Sequence, residues 1–312
     1  MNELEIIQHP QIRGLNLFFN TMDYRTAHFH AEWELLLPLD NPLVMTFDLE
    51  RYEVLPGQII VINSRQLHEY STETGSCTFL CLQVSDELFP RLRGIHVEAF
   101  YPHLFMEEDE YSAFRARLLD IMHNYLVQPD FYELYCVGRT SLLLHKLLTC
   151  VPCHEMTAEE IAQREKSTAR LGRLLRFVDD NFQDKILLRD FAAQEGLTIN
   201  YLSGFIRQTM NQTFQEYVTT VRFHYACKRM SSTDEKLLTI CMESGFSDYR
   251  YFSKAFRQRT GKTPEEYRSE LHRGTPAAAK IHHSMHSLER FYTREQSLVL
   301  WETYSRIFSF SQ

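Results

Sequence analysis

The sequence predicts an α+β chain with its strands gathered at the front and its helices behind. Three observations carry that reading. Between Leu15 and Ser85, short runs rich in β-branched and aromatic residues alternate with turn signals. From Tyr111 to Cys150, apolar residues recur at helical spacing instead. Beyond residue 200 a pattern repeats fifty residues on: Tyr201, Ser203, Arg207, Gln208, Thr213, Glu216 and Tyr217 return as Tyr251, Ser253, Arg257, Gln258, Thr263, Glu266 and Tyr267. Self-similarity at one fixed offset marks one supersecondary unit used twice.

Taken in order, the strand-like runs are Glu32 to Leu39, Leu43 to Leu49, Gln58 to Ile62 and Cys77 to Val84. Asp40-Asn41-Pro42, Pro56-Gly57 and Thr74-Gly75-Ser76 punctuate them. Short strands so spaced predict a small sandwich or barrel over residues 1–100. Residues 101–150 predict a helical pair, broken at Pro129-Asp130. One stripe is Phe114, Leu118, Met122, Tyr125 and Leu126; the other is Leu134, Val137, Leu144, Leu147 and Leu148. Pro152 and the polar run that follows read as a linker or a polar helical connector over 151–168. Residues 169–272 hold the repeat, opened by an amphipathic helix through Leu171, Leu174, Leu175, Val178 and Phe182. Residues 273–312 read as a helical extension of unassigned role, with His282, His283 and His286 an exposed histidine-rich stretch.

Length and composition narrow the class. The 312 residues have room for two or three domains. At 44% hydrophobic and 24% charged residues the chain can fill ordinary cores, which excludes a disordered class. No apolar run reaches 18 residues, and the first five residues lack a basic and apolar leader, so a cytoplasmic chain without a membrane partner is expected. Seven scattered cysteines fit reduced thiols. Cys150 and Cys153 lack a second pair to complete a zinc set, and no cofactor is expected.

Net charge is −8, but it is unevenly spread. Residues 1–160 hold 10 Lys/Arg against 24 Asp/Glu, residues 161–272 hold 18 against 14, and residues 273–312 hold 5 against 3. The positive excess lies on the repeat, where a phosphate backbone would need it.

Each repeat ends in a helix with two unlike faces. Ile199, Leu202, Phe205 and Ile206 share one side, against Asn200, Ser203, Gly204 and Arg207. In the second copy Tyr249, Phe252, Ala255 and Phe256 oppose Arg250, Ser253, Lys254 and Arg257. Thr198, and Ser247 or Asp248, suit the N-caps, and Gly196 and Gly245 suit the turns before them. A helix, a tight turn and a second helix with a polar outer face is the layout that enters a DNA major groove.

The stretch resembles the AraC/XylS family DNA-binding domain. The resemblance rests on Ile240-Cys241, Gly245-Phe246-Ser247-Asp248, Tyr251-Phe252-Ser253-Lys254, Phe256-Arg257, Gly261, Thr263-Pro264 and Tyr267-Arg268. A looser first copy runs through Leu188, Ala192, Tyr201-Leu202-Ser203, Arg207, Phe214, Glu216-Tyr217, Arg222 and Ala226. Asn211 stands where the family has Gly, Gly204 where Arg is common, and Cys241 where Ala is usual. The resemblance implies a sequence-specific DNA-binding transcription regulator. It also implies homodimers formed through the helical pair, RNA polymerase as a partner if the protein activates, and a structural role for Arg222.

In the front half, His28-x-His30, Glu34, Leu55-Pro56-Gly57 and His68 are similar to the cupin motif pair, although Asn41-Pro42 replaces the hairpin glycine. This implies a cupin-like effector-sensing barrel, with Tyr24, Arg25, His28, His30, Glu34 and His68 as effector-binding candidates. A small polar effector, a sugar among the possibilities, is expected. The subset His28, His30, Glu34 and His68 also has the donor types for one divalent metal. The alternative reading is a metal-dependent cupin enzyme whose helical domain binds a partner. The DNA-binding candidates are Asn200, Ser203, Gly204, Arg207, Tyr249, Arg250, Tyr251, Lys254 and Arg257.

Overall fold

The computed structural model describes residues 11–47, 50–73, 75–210, 212–273, 281–283 and 287–309. Seven strands open the chain: β1 (Leu15–His28), β2 (Trp33–Pro38), β3 (Leu43–Phe47), β4 (Glu50–Val54), β5 (Ile60–Ile62), β6 (His68–Ser71) and β7 (Cys77–Val84). β6 and β7 both run antiparallel to β1. They form one bent ladder that pairs His28 with His68 at one end and Leu15 with Val84 at the other. β3 and then β4 extend the sheet beyond β6, and β2 and then β5 extend it beyond β7. The bend folds these two wings into a nearly closed antiparallel barrel.

Alternation along the strands makes two apolar layers. Met22, Leu36, Met45, Ile60, Phe79 and Cys81 fill the inside. Leu17, Phe19, Trp33, Leu35, Leu80 and Leu82 face outward and are covered by helices. Those helices are α1 (Glu108–Val127) and α2 (Tyr132–Cys150), packed on each other after the short strand β8 (Ile95–Val97).

β9 (Cys153–Glu155) returns to pair with β8. α3 (Ala158–Asn181) then runs unbroken through the stretch expected to be a linker up to residue 168. A capping box between Thr157 and Glu160 starts it. Glu159, Glu160, Gln163 and Lys166 occupy its solvent face, while Arg164 and Glu165 contact His96 and Arg93 of the preceding segment.

The repeat folds as α4 (Leu188–Glu195) with α5 (Ile199–Met210), then α6 (Phe214–Ser232), then α7 (Leu237–Glu243) with α8 (Tyr249–Thr260) and α9 (Pro264–Arg273). The fifty-residue echo has a physical basis. Thr213 N donates to Glu216 Oε2 at 2.7 Å and Glu216 N to Thr213 Oγ1 at 3.2 Å; Thr263 and Glu266 repeat both bonds at the same distances. β10 (Ile281–His283), β11 (Ser287–Phe291) and α10 (Arg294–Ser309) finish the chain. His282 and His283 lie on β10, while His286 and all three imidazoles fall outside what is described. All seven cysteines are free thiols, Cys150 and Cys153 included.

Candidate nucleic-acid interface and sensor site

α5 and α8 are built alike. Thr198 Oγ1 accepts Tyr201 N at 3.2 Å, and Asp248 Oδ1 accepts Tyr251 N at 3.0 Å, which makes Asp248 rather than Ser247 the second N-cap. Leu202, Ile206 and Met210 bury one face of α5; Phe252, Ala255 and Phe256 bury one face of α8. On the open face of α5 stand Asn200, Ser203, Gly204 and Arg207, all exposed. Arg250, Tyr251, Lys254 and Arg257 are exposed on α8, with Arg250 lying over the Tyr251 ring. A shallow basin runs along that face between Arg250, Ser253, Lys254 and Gln258.

Tyr249 is half-buried, its ring packs on Phe252 at 5.4 Å and its hydroxyl bonds Glu265 on α9. It braces α8 and also borders the basin beside Arg250 and Lys254. Tyr201, absent from the expected set, is exposed on α5 and accepts a 2.6 Å bond from Arg170. Its echo with Tyr251 was the available signal.

The two units are locked together. α6 has 19 residues and spans about 28 Å. Arg222 on it donates to Phe182 O and Asp184 O, both at 2.7 Å, and so ties the end of α3 to the connecting helix. Gln183 Nε2 donates to Glu243 O at 2.8 Å across the units. A Cβ at Gly245 would come within 2.5 Å of Phe182 O, so the turn of the second unit lies directly on the first.

Inside the barrel, the polar candidates divide. His28, His30, Glu34 and His68 are all buried. The Nδ1 atoms of His28, His30 and His68 point at the carbonyls of Thr26, Glu32 and Gln66, at 2.9, 3.1 and 2.8 Å. Each Nδ1 therefore carries the proton, which leaves Nε2 of His28 and His68 unprotonated, while His30 Nε2 faces a carboxylate and donates to it. His30 Nε2 lies 2.8 Å from Glu34 Oε2. Gln83 Nε2 donates to the same oxygen at 2.8 Å, and the Tyr70 hydroxyl donates to Glu34 Oε1.

Burial, reinforced by neighbouring charge, pushes the His28 imidazole well below its ordinary pKa and His68 down to about 3, so both are neutral at pH 7. Burial alone would raise Glu34, but His30 leads the contacts that hold it well below the usual carboxylate range. Ligand atoms of His30, Glu34 and His68 all lie within 4.8 Å of one another. His28 stands behind them, with its ring 4.2 Å from that of His68.

A divalent transition metal fits this set on its own chemistry. The imidazoles of His30 and His68 are each held through Nδ1 by an outer hydrogen bond to a backbone carbonyl, as metal-bound histidines usually are. His68 Nε2 is buried without a hydrogen-bond partner, an orphan that an ion would satisfy. One carboxylate completes the donors.

Tyr24 does not join the cluster as expected, whereas Arg25 stands at its edge, where its charge helps to keep His28 and His68 neutral. The β1–β11 register shifts between Met22 and Tyr24, so simple alternation fails there. Tyr24 turns to the helical domain, its ring stacked 4.0 Å from His224 on α6 and its hydroxyl 3.4 Å from the His224 carbonyl. Arg25 is half-buried and lies 3.8 Å from Glu289 on β11. Sequence reasoning missed Gln83, which faces Glu34 in the β2–β7 pairing, and Tyr70, which reaches Glu34 across the barrel from β6.

Among known proteins, a family model described as a helix-turn-helix domain matches residues 191–270. The chain is 24% identical over 261 residues to the uncharacterized HTH-type transcriptional regulator YdeC of Bacillus subtilis (strain 168), covering 80% of this chain and 88% of that protein. It is 22% identical over 218 residues to the HTH-type transcriptional activator RhaS of Mannheimia succiniciproducens, covering 70% and 79%. It is 22% identical over 256 residues to the melibiose operon regulatory protein of Escherichia coli (strain K12), covering 78% and 83%. Among the described residues no helix is long and apolar enough to cross a membrane.

Proposed function

We propose that the chain is an AraC-type helix-turn-helix transcriptional regulator, as its likeness to such regulators supports, in which α5 and α8 read successive stretches of major groove while the barrel senses a small effector. The observation that carries this is a pair of exposed polar helix faces held at a fixed separation by α6 and by the contact at Gly245. In this reading Arg250 and Lys254 meet a guanine edge and Asn200 an adenine edge, with Arg207 and Arg257 on phosphates. Gly204 contributes close approach and no side-chain contact. RhaS is named an activator; by that likeness the outcome is activation in the cytoplasm, with RNA polymerase as a partner.

The effector site is the buried set His28, His30, Glu34 and His68, with Arg25 at its edge and Tyr24 relaying to α6. The barrel would then be cupin-like in use as well as in motif. A divalent metal held by His30, Glu34 and His68 would supply a fixed Lewis-acidic point for an oxygen of the effector. Catalysis is not part of this reading.

The dimer face is on α2. Phe131, Leu134 and Leu142 are 77%, 75% and 58% exposed, while Cys136, Leu143 and Leu147 turn inward. An apolar strip so exposed on a soluble domain fits a second copy of the chain.

Selection from a random DNA pool, followed by gel shifts, tests the main claim. Arg250→Ala should lose about 1–3 kcal/mol of binding and relax preference at one base pair. Unchanged affinity and preference would remove α8 from the interface.

A further inference from the structure

The chain does not end at its DNA-binding domain; it returns to the barrel. β11 pairs with β1 from Asn20↔Phe291 to Arg25↔Ser287, on the edge of β1 that β6 and β7 leave open. An edge strand left bare is a liability, so this pairing completes the sheet. Glu289 is buried there, accepting a 2.7 Å bond from Asn20 and lying 3.8 Å from Arg25. Behind β11, Arg294 donates to Leu126 O and, at 2.7 Å, to Val127 O, satisfying the last carbonyls of α1. Trp301 Nε1 donates to Leu119 O at 2.9 Å, and Arg115 lies over the Phe308 ring. Segment 287–309 is thus held to the sensor by a ladder, a helix cap and an aromatic seam.

Thirteen residues separate Arg273, the end of α9, from Ser287. The DNA-binding domain is therefore tied to the barrel at both ends, through α3 in front and through this return behind. The barrel also presses on it directly. Phe29 packs among Leu171, Leu174 and Leu175, and Tyr24 stacks on His224. Glu69 on β6 and Arg259 at the end of α8 attract each other by charge across the same contact. Two adjacent residues of β1 thus face three ways: Tyr24 toward α6, Arg25 toward Glu289 and, by pairing with Tyr70, toward the Glu34 cluster.

We propose that residues 287–309 are a strap that holds the far end of the DNA-binding domain against the sensor, with Glu289 and Arg25 as the joint through which the barrel's polar cluster acts on that hold. The role of the joint rests on reading the cluster as the sensing site; the strap itself does not. A second tether raises the effective concentration of the barrel at α6, so docking persists while the strap is whole. Anything that draws Arg25 away from Glu289 loosens β1 where both α6 and β11 attach.

The test uses the full chain with a protease site placed within residues 274–280, so that one cut severs the strap. Hydrogen exchange is then followed in residues 220–228 of α6, with gel filtration to track the cut piece. The strap predicts that the piece co-elutes with the body and that exchange in α6 quickens about tenfold. Glu289→Gln, uncut, should quicken the same peptide about threefold without loss of the fold. A piece that elutes separately, or α6 exchange equal to the uncut chain, overturns the strap; no change with Glu289→Gln overturns the joint. Failure of the uncut chain to bind DNA selectively would defeat the functional reading and leave the α6 result standing.

Discussion

Gly196 and Gly245 offer an internal comparison, because they occupy equivalent turns of the two units. Both have left-handed backbones, with φ of +63° and +78°. Both turns close the same way: Leu197 N donates to Ala192 O at 3.0 Å, and Phe246 N to Cys241 O at 3.2 Å. What differs is the space around them. A Cβ at Gly196 meets nothing within 4 Å, whereas at Gly245 it meets Phe182 O at 2.5 Å and Gln183 Cα and O at 2.8 Å. Alanine in a left-handed conformation costs about 1 kcal/mol. Overpacking against rigid backbone adds about 1–3 kcal/mol. Gly196→Ala should therefore destabilise by about 1 kcal/mol and Gly245→Ala by about 2–4 kcal/mol.

The second change should also disturb DNA reading, because Phe182 O is the acceptor that holds Arg222 and so helps fix α3 against α6. Guanidinium unfolding followed by helical circular dichroism measures the first effect. Gel shifts on operators with the half-sites moved by one base pair measure the second. Trp33 and Trp301 lie in and on the barrel domain, so fluorescence would report the wrong domain. Equal losses from the two substitutions, with unchanged spacing preference, would refute the claim that the units are braced through this turn.

Burial holds the Asp23 carboxyl up at about 6 from 3.8, with Arg290 partly opposing. A folded-state pKa above the unfolded one means that stability is full below about pH 4 and falls as pH rises through 6, by up to about 3 kcal/mol. Asp23→Asn should flatten melting temperature across pH 4–7; an unchanged slope would clear Asp23 of the effect. Cobalt(II) added to metal-free protein should give visible absorption bands at one ion per chain, and His68→Ala should abolish them. Colourless titrations would leave the cluster as hydrogen-bonded polar core. Leu134→Asp with Leu142→Asp should convert a dimer to a monomer by light scattering while the melting temperature holds within a few degrees. A dimer that survives both changes lies on some other face.

How much of this was legible in advance depended on the sequence distance of the partners. The reading helices were legible because every cue is local: the cap at Thr198 or Asp248, the buried trio on each helix, and the capping boxes that underlie the fifty-residue echo. The histidine set was legible for a similar reason, since His28, His30 and Glu34 fall within seven residues and His68 pairs with His28 across one ladder. The bracing role of Tyr249 was not legible because the carboxylate that claims its hydroxyl is on another helix, 16 residues away. Tyr24 was misplaced because a one-residue irregularity in β1 reverses the alternation on which the barrel-facing assignment relied. Nothing local could announce β11, whose bond to Asn20 spans 269 positions.

The missed features are also those that join one domain to another. Periodicity and caps are selected within an element, so they reveal elements. Tyr24 on His224, Phe29 among the leucines of α3 and Glu289 beside Arg25 depend on where whole elements come to rest. Signal transfer between sensor and reader must use contacts of this second kind. A sequence can therefore announce both a sensor and a reader and still conceal the parts that make one answer to the other.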